Sequence, residues 1–396
     1  MALDNTTVVG VVGAGAMGTG IAQVAAAAGH RVVLADARQG ATANAQVAIA
    51  KAMDREVEKK RSSRAAADEL MSRIDFQWEA LSDDLSAYKH CGIVAEAVIE
   101  DLETKRTLFH RLESIVPSDC VLATNTSSLS VAAIASACET SSRVVGLHFF
   151  NPAPLMPLVE VVPWLGGDPT VGSSCYALMQ RWNKTPVLAS DTPGFIVNRV
   201  ARPFYGEALR LLDEGVADVA TIDWAMKEMG GFRMGPFELM DFIGNDVNYA
   251  VTRSVFEAMF CDPRYKPSLT QKRLVESNFL GKKSGRGYYD YRAGAEAPQP
   301  TKDANTGLLI FERVLAMLIN EAVDAVFMRV ASAEDIDLAM TKGVNYPKGL
   351  LAWANELGIS RVLGWLERLQ SEYGEDRYRP SPLLKRMARD GRRFFE

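Results

Sequence analysis

A chain of 396 residues with a formal net charge of −5 has no basic excess for neutralising a phosphate backbone, which argues against nucleic acid as a main partner. Its 48% apolar and 23% charged residues are those of an ordinary soluble globular protein of two or three domains. No apolar run reaches the ~18 residues of a membrane span, so no membrane partner is expected. The five cysteines (Cys91, Cys120, Cys138, Cys175 and Cys261) contain no C-x-x-C pair, and they fit reduced thiols in a cytoplasmic protein. The start, "MALDNTT", lacks a basic-then-apolar leader pattern, and no metal site is expected.

The first forty residues read as strand, turn, helix, strand. Val8 to Val12 are apolar and β-branched around one glycine, the pattern of a buried parallel strand. Gly13, Gly15 and Gly18 follow in G-x-G-x-x-G spacing: the first for a tight turn, the second for close approach of a pyrophosphate, the third for helix–strand packing. The helix that starts near Ala16 and Met17 and stops at Gly29 offers its unpaired N–H groups to phosphate. The next strand, "RVVLAD", ends at Asp36, where an acid is expected on the ribose of NAD. That carboxylate disfavours the 2′-phosphate of NADP, and Arg38 is read as solvated surface charge. The cofactor expected is NAD.

Residues 44–74 are expected to leave the sheet as an alanine-rich helical hairpin, with the charged stretch "DREVEKKRSSR". Further strands are expected at 91–99, 120–125, 143–150 and 158–162. His148 closes the third of these, at the carboxyl edge where open α/β sheets place ligands. The turn "NPAPLMP" sends the chain back and carries Glu160 toward it. By themselves the two residues fit a satisfied core histidine and a surface acid, or a base with its orienting carboxylate.

In order, "VGAGAMGTGIA", "EAVIEDLETK", "TNTSSL", "GLHFFNPAPLMPLVEV", "DTPGFIVNR", "MGPFELMDFIG" and "GKKSGRGYYDY" span the chain. Together they closely resemble the L-3-hydroxyacyl-CoA dehydrogenases. "NRVARPFYGEALRLLDE" and the tail "VNYPKGLLAWANELG" are most similar to the 3-hydroxyadipyl-CoA dehydrogenases of bacterial phenylacetate degradation, although those carry a longer segment before the last helical unit. The resemblance implies NAD-dependent oxidation of a 3-hydroxyacyl-CoA with His148 as base and Glu160 as its partner. It implies that Ser127 and Asn198 contact the substrate's 3-oxygen, and that Glu100, Lys105, Asn125 and Lys283 contact the cofactor. It also implies a CoA contact near Lys59, in the cluster Lys59, Lys60, Arg61 and Arg64. The family serine one or two turns earlier falls on Ala52.

Arg202 lies four residues after Asn198, on the same face of one helix. It is either a surface arginine or a partner for the distal carboxylate of a diacid substrate.

Residues 198–244 align without a gap on 312–358 after a shift of 114. Arg199, Glu207, Ile222, Asp223, Gly235 and Gly244 fall on Arg313, Glu321, Ile336, Asp337, Gly349 and Gly358. The expected architecture is therefore an α/β Rossmann-type NAD-binding domain (1–188) followed by two tandem all-α units (189–294 and 306–396) joined by a linker at 295–305. The two units are expected to pack as an internal pseudo-dimer, and a further homodimer is compatible with it. Asn198 becomes Glu312 in the second copy, which reads as scaffold. Two rival readings are a dehydrogenase of free 3-hydroxy acids and a non-catalytic NAD-binding protein.

Overall fold

The computed structural model describes residues 3–77 and 84–396. The chain divides into two compact units, Met1–Phe195 and Ile196–Glu396. Among the described residues no helix is long and apolar enough to cross a membrane.

The first unit is one sheet of β1 (Val9–Val12), β2 (Val32–Ala35), β3 (Ile74–Phe76), β4 (Ile93–Glu96), β5 (Val121–Thr124), β6 (Val144–Phe149), β7 (Leu158–Val162) and β8 (Thr185–Leu188). The strand order is β3-β2-β1-β4-β5-β6-β7-β8. β3 through β6 run parallel; β7 turns antiparallel to β6, and β8 runs parallel to β7. The order reverses between β1 and β4, the switch point at which doubly wound sheets open a crevice for ligands. Pro186 is tolerated because β8 is an edge strand and needs hydrogen bonds on one side only.

The helices of this unit are α1 (Ala16–Ala27), α2 (Ala41–Glu58), α3 (Arg64–Ser72), α4 (Leu102–Glu113), α5 (Val131–Ala135) and α6 (Pro169–Arg181). α2 and α3 pack as the expected hairpin, running slightly ahead of 44–74. The domain boundary expected at 188 lies later, because Asp191 ties its loop to the first unit. Its carboxylate accepts from Val131 N at 2.9 Å, Ala132 N at 2.8 Å and Ser130 Oγ at 2.9 Å, capping α5.

The second unit is helical: α7 (Val197–Val200), α8 (Arg202–Asp213), α9 (Val219–Glu228), α10 (Pro236–Ile243), α11 (Asn245–Ala258) and α12 (Leu269–Glu276), then α13 (Ala304–Phe327), α14 (Ala333–Gly343), α15 (Leu350–Leu357), α16 (Ile359–Tyr373) and α17 (Pro382–Asp390). The linker ends one residue before α13, two residues earlier than expected, and Thr301 N donates to Thr221 Oγ1 at 2.9 Å within it.

The copies of the sequence repeat make matching contacts. Asp223 accepts from Phe237 N and Glu238 N at 2.9 Å, and Asp337 accepts from Leu351 N at 2.8 Å and Ala352 N at 2.9 Å. Between copies the contacts are exchanged. Arg199 Nε donates to Glu321 at 2.6 Å, and Arg313 Nε donates to Glu207 at 3.0 Å. Tyr265 OH donates to Glu321 at 2.6 Å and Tyr378 OH to Glu207 at 3.0 Å. Such reciprocity is the signature of a twofold relation between the copies.

Candidate active site

The glycines after β1 act as their spacing predicts. Gly13 has φ +102°, and a Cβ there would lie 2.5 Å from Ala97 O. A Cβ on Gly18 would lie 1.7 Å from Gly13 O, so only glycine lets α1 pack this close. At Gly15 the space is open, the nearest atom to an added Cβ being Arg38 Nη2 at 4.0 Å. Gly15 is the N-cap of α1 with no side-chain cap, which leaves the N–H groups of the first turn, at Ala16 and Met17, for an anion. A cleft of about 950 Å³ lined by Gly13, Gly15, Asp36, Ala97, Val98 and Thr104 runs from this turn. Its glycine cradle, helix N-terminus and acid fit a dinucleotide.

Asp36 accepts from Ala14 N at 2.7 Å and Arg38 N at 2.8 Å. The Arg38 guanidinium also grips it, through Nε at 3.1 Å and Nη2 at 3.0 Å. Arg38 is exposed, as expected of a solvated surface charge, and is at the same time the partner of Asp36. Burial works to raise the Asp36 pKa, but the Arg38 and Ala14 hydrogen bonds outweigh it and hold the carboxyl below its ordinary range.

Glu100 and Lys105 form the frame of the "TNTSSL" loop. One oxygen of Glu100 accepts from Thr126 Oγ1 at 2.7 Å, Ser127 N at 2.9 Å, Ser128 N at 3.1 Å and Ser128 Oγ at 3.0 Å. Ser127 Oγ lies 3.3 Å from the same oxygen. The fully buried Lys105 reaches Glu96 at 2.6 Å and Glu100 at 3.3 Å, and Glu96 also accepts from Thr124 Oγ1 and Val98 N at 2.7 Å. Burial would push Glu100 up; Lys105 and the Thr126, Ser127 and Ser128 bonds overcome that and keep its pKa low. Glu96 was not anticipated, although an acid closing an apolar strand was the available signal.

His148 and Glu160 face each other directly in the antiparallel β6–β7 register. His148 Nδ1 lies 2.6 Å from Glu160 Oε2, both side chains are buried, and among the described residues nothing bonds His148 Nε2. The imidazole packs on Phe150 at 4.4 Å and Phe195 at 5.9 Å between ring centroids. Asn125 Oδ1 accepts from Phe149 N at 2.8 Å, tying the end of β5 and the serine loop to the strand that carries His148.

A second cleft in this unit, about 860 Å³, is bounded by α1, α2 and the loop that follows His148. Arg55, Lys59, Arg61, Arg181 and Lys184 line it, as does Ala52. Of the basic cluster, Lys59 is thus on a cleft. Arg64 instead pairs with Asp54 at 2.8 Å, and Lys60 turns the α2–α3 corner at φ +56°. Lys184 donates to Ala153 O and to Met156 O at 2.9 Å, and burial lowers its pKa to about 8.

In the second unit, Asn198 is half-buried on α7 and Lys283 pairs with Asp246 at 2.6 Å. Arg202 does not continue the helix of Asn198: α7 ends at Val200, and α8 starts at Arg202 with Pro203 in its first turn. Nor is Arg202 a surface residue, being 7% exposed.

Models of two domains match the chain: the 3-hydroxyacyl-CoA dehydrogenase NAD-binding domain over residues 8–192, and the C-terminal domain of the same family over 194–291 and 309–393. The Escherichia coli K12 3-hydroxyadipyl-CoA dehydrogenase is 38% identical, with 97% of this chain and 98% of the relative covered. A crystal structure of an E. coli 3-hydroxybutyryl-CoA dehydrogenase superposes with a TM-score of 0.91 at 38% identity, over 97% of this chain and 98% of that one. The pig mitochondrial hydroxyacyl-coenzyme A dehydrogenase is 39% identical but covers 71% of this chain, with 90% of its own length matched. The chain belongs to the 3-hydroxyacyl-CoA dehydrogenase family, and its activity is NAD-dependent oxidation of a 3-hydroxyacyl-CoA.

Proposed function

We propose that His148 is the general base of this oxidation, with Glu160 as the carboxylate that orients it. The observation that carries the reading is the 2.6 Å contact between Nδ1 and Glu160, which commits that nitrogen and leaves Nε2 for substrate. With Nδ1–H given to Glu160, Nε2 carries the lone pair that takes the proton of the 3-hydroxyl. Glu160 then stabilises the imidazolium as it forms and keeps the tautomer fixed. The Ser127 hydroxyl and the Asn198 amide are the donors assigned to the 3-oxygen, restraining it as charge develops there. When bound, NAD supplies the two-electron oxidant that accepts the hydride from the substrate's C3, giving the 3-oxoacyl-CoA.

Coenzyme A is assigned to the second cleft, whose lysines and arginines suit a polyphosphate on a protein that is acidic overall. Lys59 is the assigned contact, and Ala52 offers no hydroxyl there. The second helical copy is assigned the place of a partner subunit, because the pig enzyme is matched over 90% of its own length by 71% of this chain. Buried, protonated thiols at Cys91, Cys120, Cys138 and Cys175 suit a reducing cytoplasm.

Steady-state NADH formation tests the reading. The wild-type chain turns over 3-hydroxybutyryl-CoA and not free 3-hydroxybutyrate, and His148→Ala lowers kcat by about 10²–10⁴-fold. Unchanged turnover in His148→Ala would leave a non-catalytic or differently based site.

A further inference from the structure

Four hydrogen bonds meet on the Asp36 carboxylate, two on each oxygen. Oδ1 accepts from Arg38 N at 2.8 Å and from Arg38 Nε at 3.1 Å. Oδ2 accepts from Ala14 N at 2.7 Å and from Arg38 Nη2 at 3.0 Å. An ionised carboxylate offers about four lone-pair directions, so these bonds fill it. Yet Asp36 lines the cleft that fits a dinucleotide, directly after β2, where an acid receives ribose hydroxyls. An arriving ribose diol meets a saturated acceptor, and one of the four bonds must yield.

Exposure decides which. Asp36 is 7% exposed, and its two backbone donors belong to the glycine turn and to the peptide that continues from β2. The Arg38 side chain is 71% exposed. An ion pair with water around one partner is weakly held, so the guanidinium releases before the backbone does. Once released it stays at the cleft, because Arg38 N remains on Oδ1. Two arginines line this cleft, Arg38 and Arg111, and it is Arg38 that is bonded to the acid. Its Nη2 lies 4.0 Å from the position of a Cβ on Gly15, close to the turn that approaches the pyrophosphate.

The side chain therefore acts with opposite sign on two dinucleotides. A neutral 2′-hydroxyl competes with Arg38 for Asp36. A 2′-phosphate, carrying a charge of about −1.5 to −2 at neutral pH, is repelled by Asp36 and attracted by the guanidinium. The planar fork of arginine takes two phosphate oxygens at once.

We propose that Arg38 sets the cofactor preference of this chain: it competes with NAD for Asp36 and receives the 2′-phosphate of NADP, which the chain accepts as a second, weaker cofactor. The proposal rests on the reading that the glycine turn and Asp36 hold NAD, and it adds a cation that moderates what the acid alone excludes.

Calorimetric titration of NAD and of NADP into the full chain, without acyl-CoA, tests it. The wild-type protein binds NADP with a Kd within about a hundredfold of that for NAD. Arg38→Ala leaves the Kd for NAD unchanged or lowers it by about threefold, and raises the Kd for NADP by about tenfold or more. Arg38→Lys, a charge without the fork, falls between the two. NADPH formation with 3-hydroxybutyryl-CoA follows the same order. A merely structural role of Arg38 would weaken both dinucleotides together, whereas the proposed contact moves them apart. Wild-type protein that binds no NADP at millimolar concentration, or an Arg38→Ala variant in which the ratio of the two Kd values stays put, overturns the assignment and leaves NAD as the cofactor. Asp36→Ala checks the reading underneath: a Kd for NAD unchanged in that variant would take Asp36 off the ribose, and this proposal with it.

Discussion

Arg199 Nε lies 2.6 Å from Glu321 Oε1, and the two residues belong to different copies of one repeated sequence. Glu321 is completely buried and receives Arg199, Arg264 and the Tyr265 hydroxyl together. These partners outweigh the burial that would raise its pKa, so the carboxyl stays ionised well below neutral pH. Replacing it by Gln leaves two buried guanidiniums with Asp324 as their remaining acid. Glu321→Gln is therefore expected to cost about 3 kcal/mol, the low end for breaking a buried pair. Urea unfolding measures this. A loss under about 1 kcal/mol would mean that the exchanged pairs do not hold the copies together.

Two glycines three residues apart, Gly15 and Gly18, should respond oppositely to one methyl group. Gly15→Ala projects into open space, so stability should stay within about 0.5 kcal/mol of wild type. The Kd for NAD should still rise tenfold or more, about 1.4 kcal/mol, because the methyl occupies the approach of the pyrophosphate. Gly18→Ala collides with Gly13 O and should destabilise the fold itself. Thermal melts beside NAD titrations separate the two. Equal Kd values for wild type and Gly15→Ala would mean that the phosphates do not pass this turn.

The dinucleotide crevice was legible because its chemistry is local: a fixed glycine spacing, one helix terminus and one acid at the end of the next strand. The His148–Glu160 pair was legible for a related reason. A short proline-rich turn returns the chain antiparallel, and the register follows from the turn. The 114-residue shift likewise put Arg199 on Arg313 and Glu207 on Glu321, the four residues that exchange contacts between the copies. What stayed hidden depends on packing. β3 is three residues long, too short for a periodic signal, and β8 carries Pro186 inside it, which argues against a strand. Glu100 and Lys105 read as cofactor contacts, and nothing local shows that Glu100 bonds a serine loop 26 to 28 residues away or that Lys105 pairs with Glu96 and Glu100. The burial of Arg202 also lay beyond reach, because the sequence shows that a cation is present and not which acids it lacks.

Lys184 links a cleft to a titration. Burial lowers its pKa to about 8, so it is charged at neutral pH and loses its proton as pH rises through that value. The cleft then loses one cation that would face the phosphates of coenzyme A. The expected result is a fall in kcat/KM for an acyl-CoA above pH about 8, since that ratio reports groups of the free enzyme. In Lys184→Arg the side chain stays charged, and the fall should move well above pH 9. A profile identical in both proteins would assign the alkaline limb to another group.

Glu100 offers the sharpest distinction between contact and support. If it bonds the cofactor, as the family resemblance implies, its loss should raise the Kd for NAD and leave saturated turnover largely intact. The geometry instead makes it the anchor of the serine loop, through Thr126, Ser127 and Ser128, with Lys105 behind it. Glu100→Ala should therefore let Ser127 drift from its place beside the His148 strand. Misplacement by about 1 Å can cost ~10²-fold in rate. The expected outcome is a kcat lowered by about that factor with little change in the Kd for NAD, measured by cofactor fluorescence. A raised Kd with kcat preserved would return Glu100 to the cofactor and leave the loop held by Thr126 and Asn125 alone.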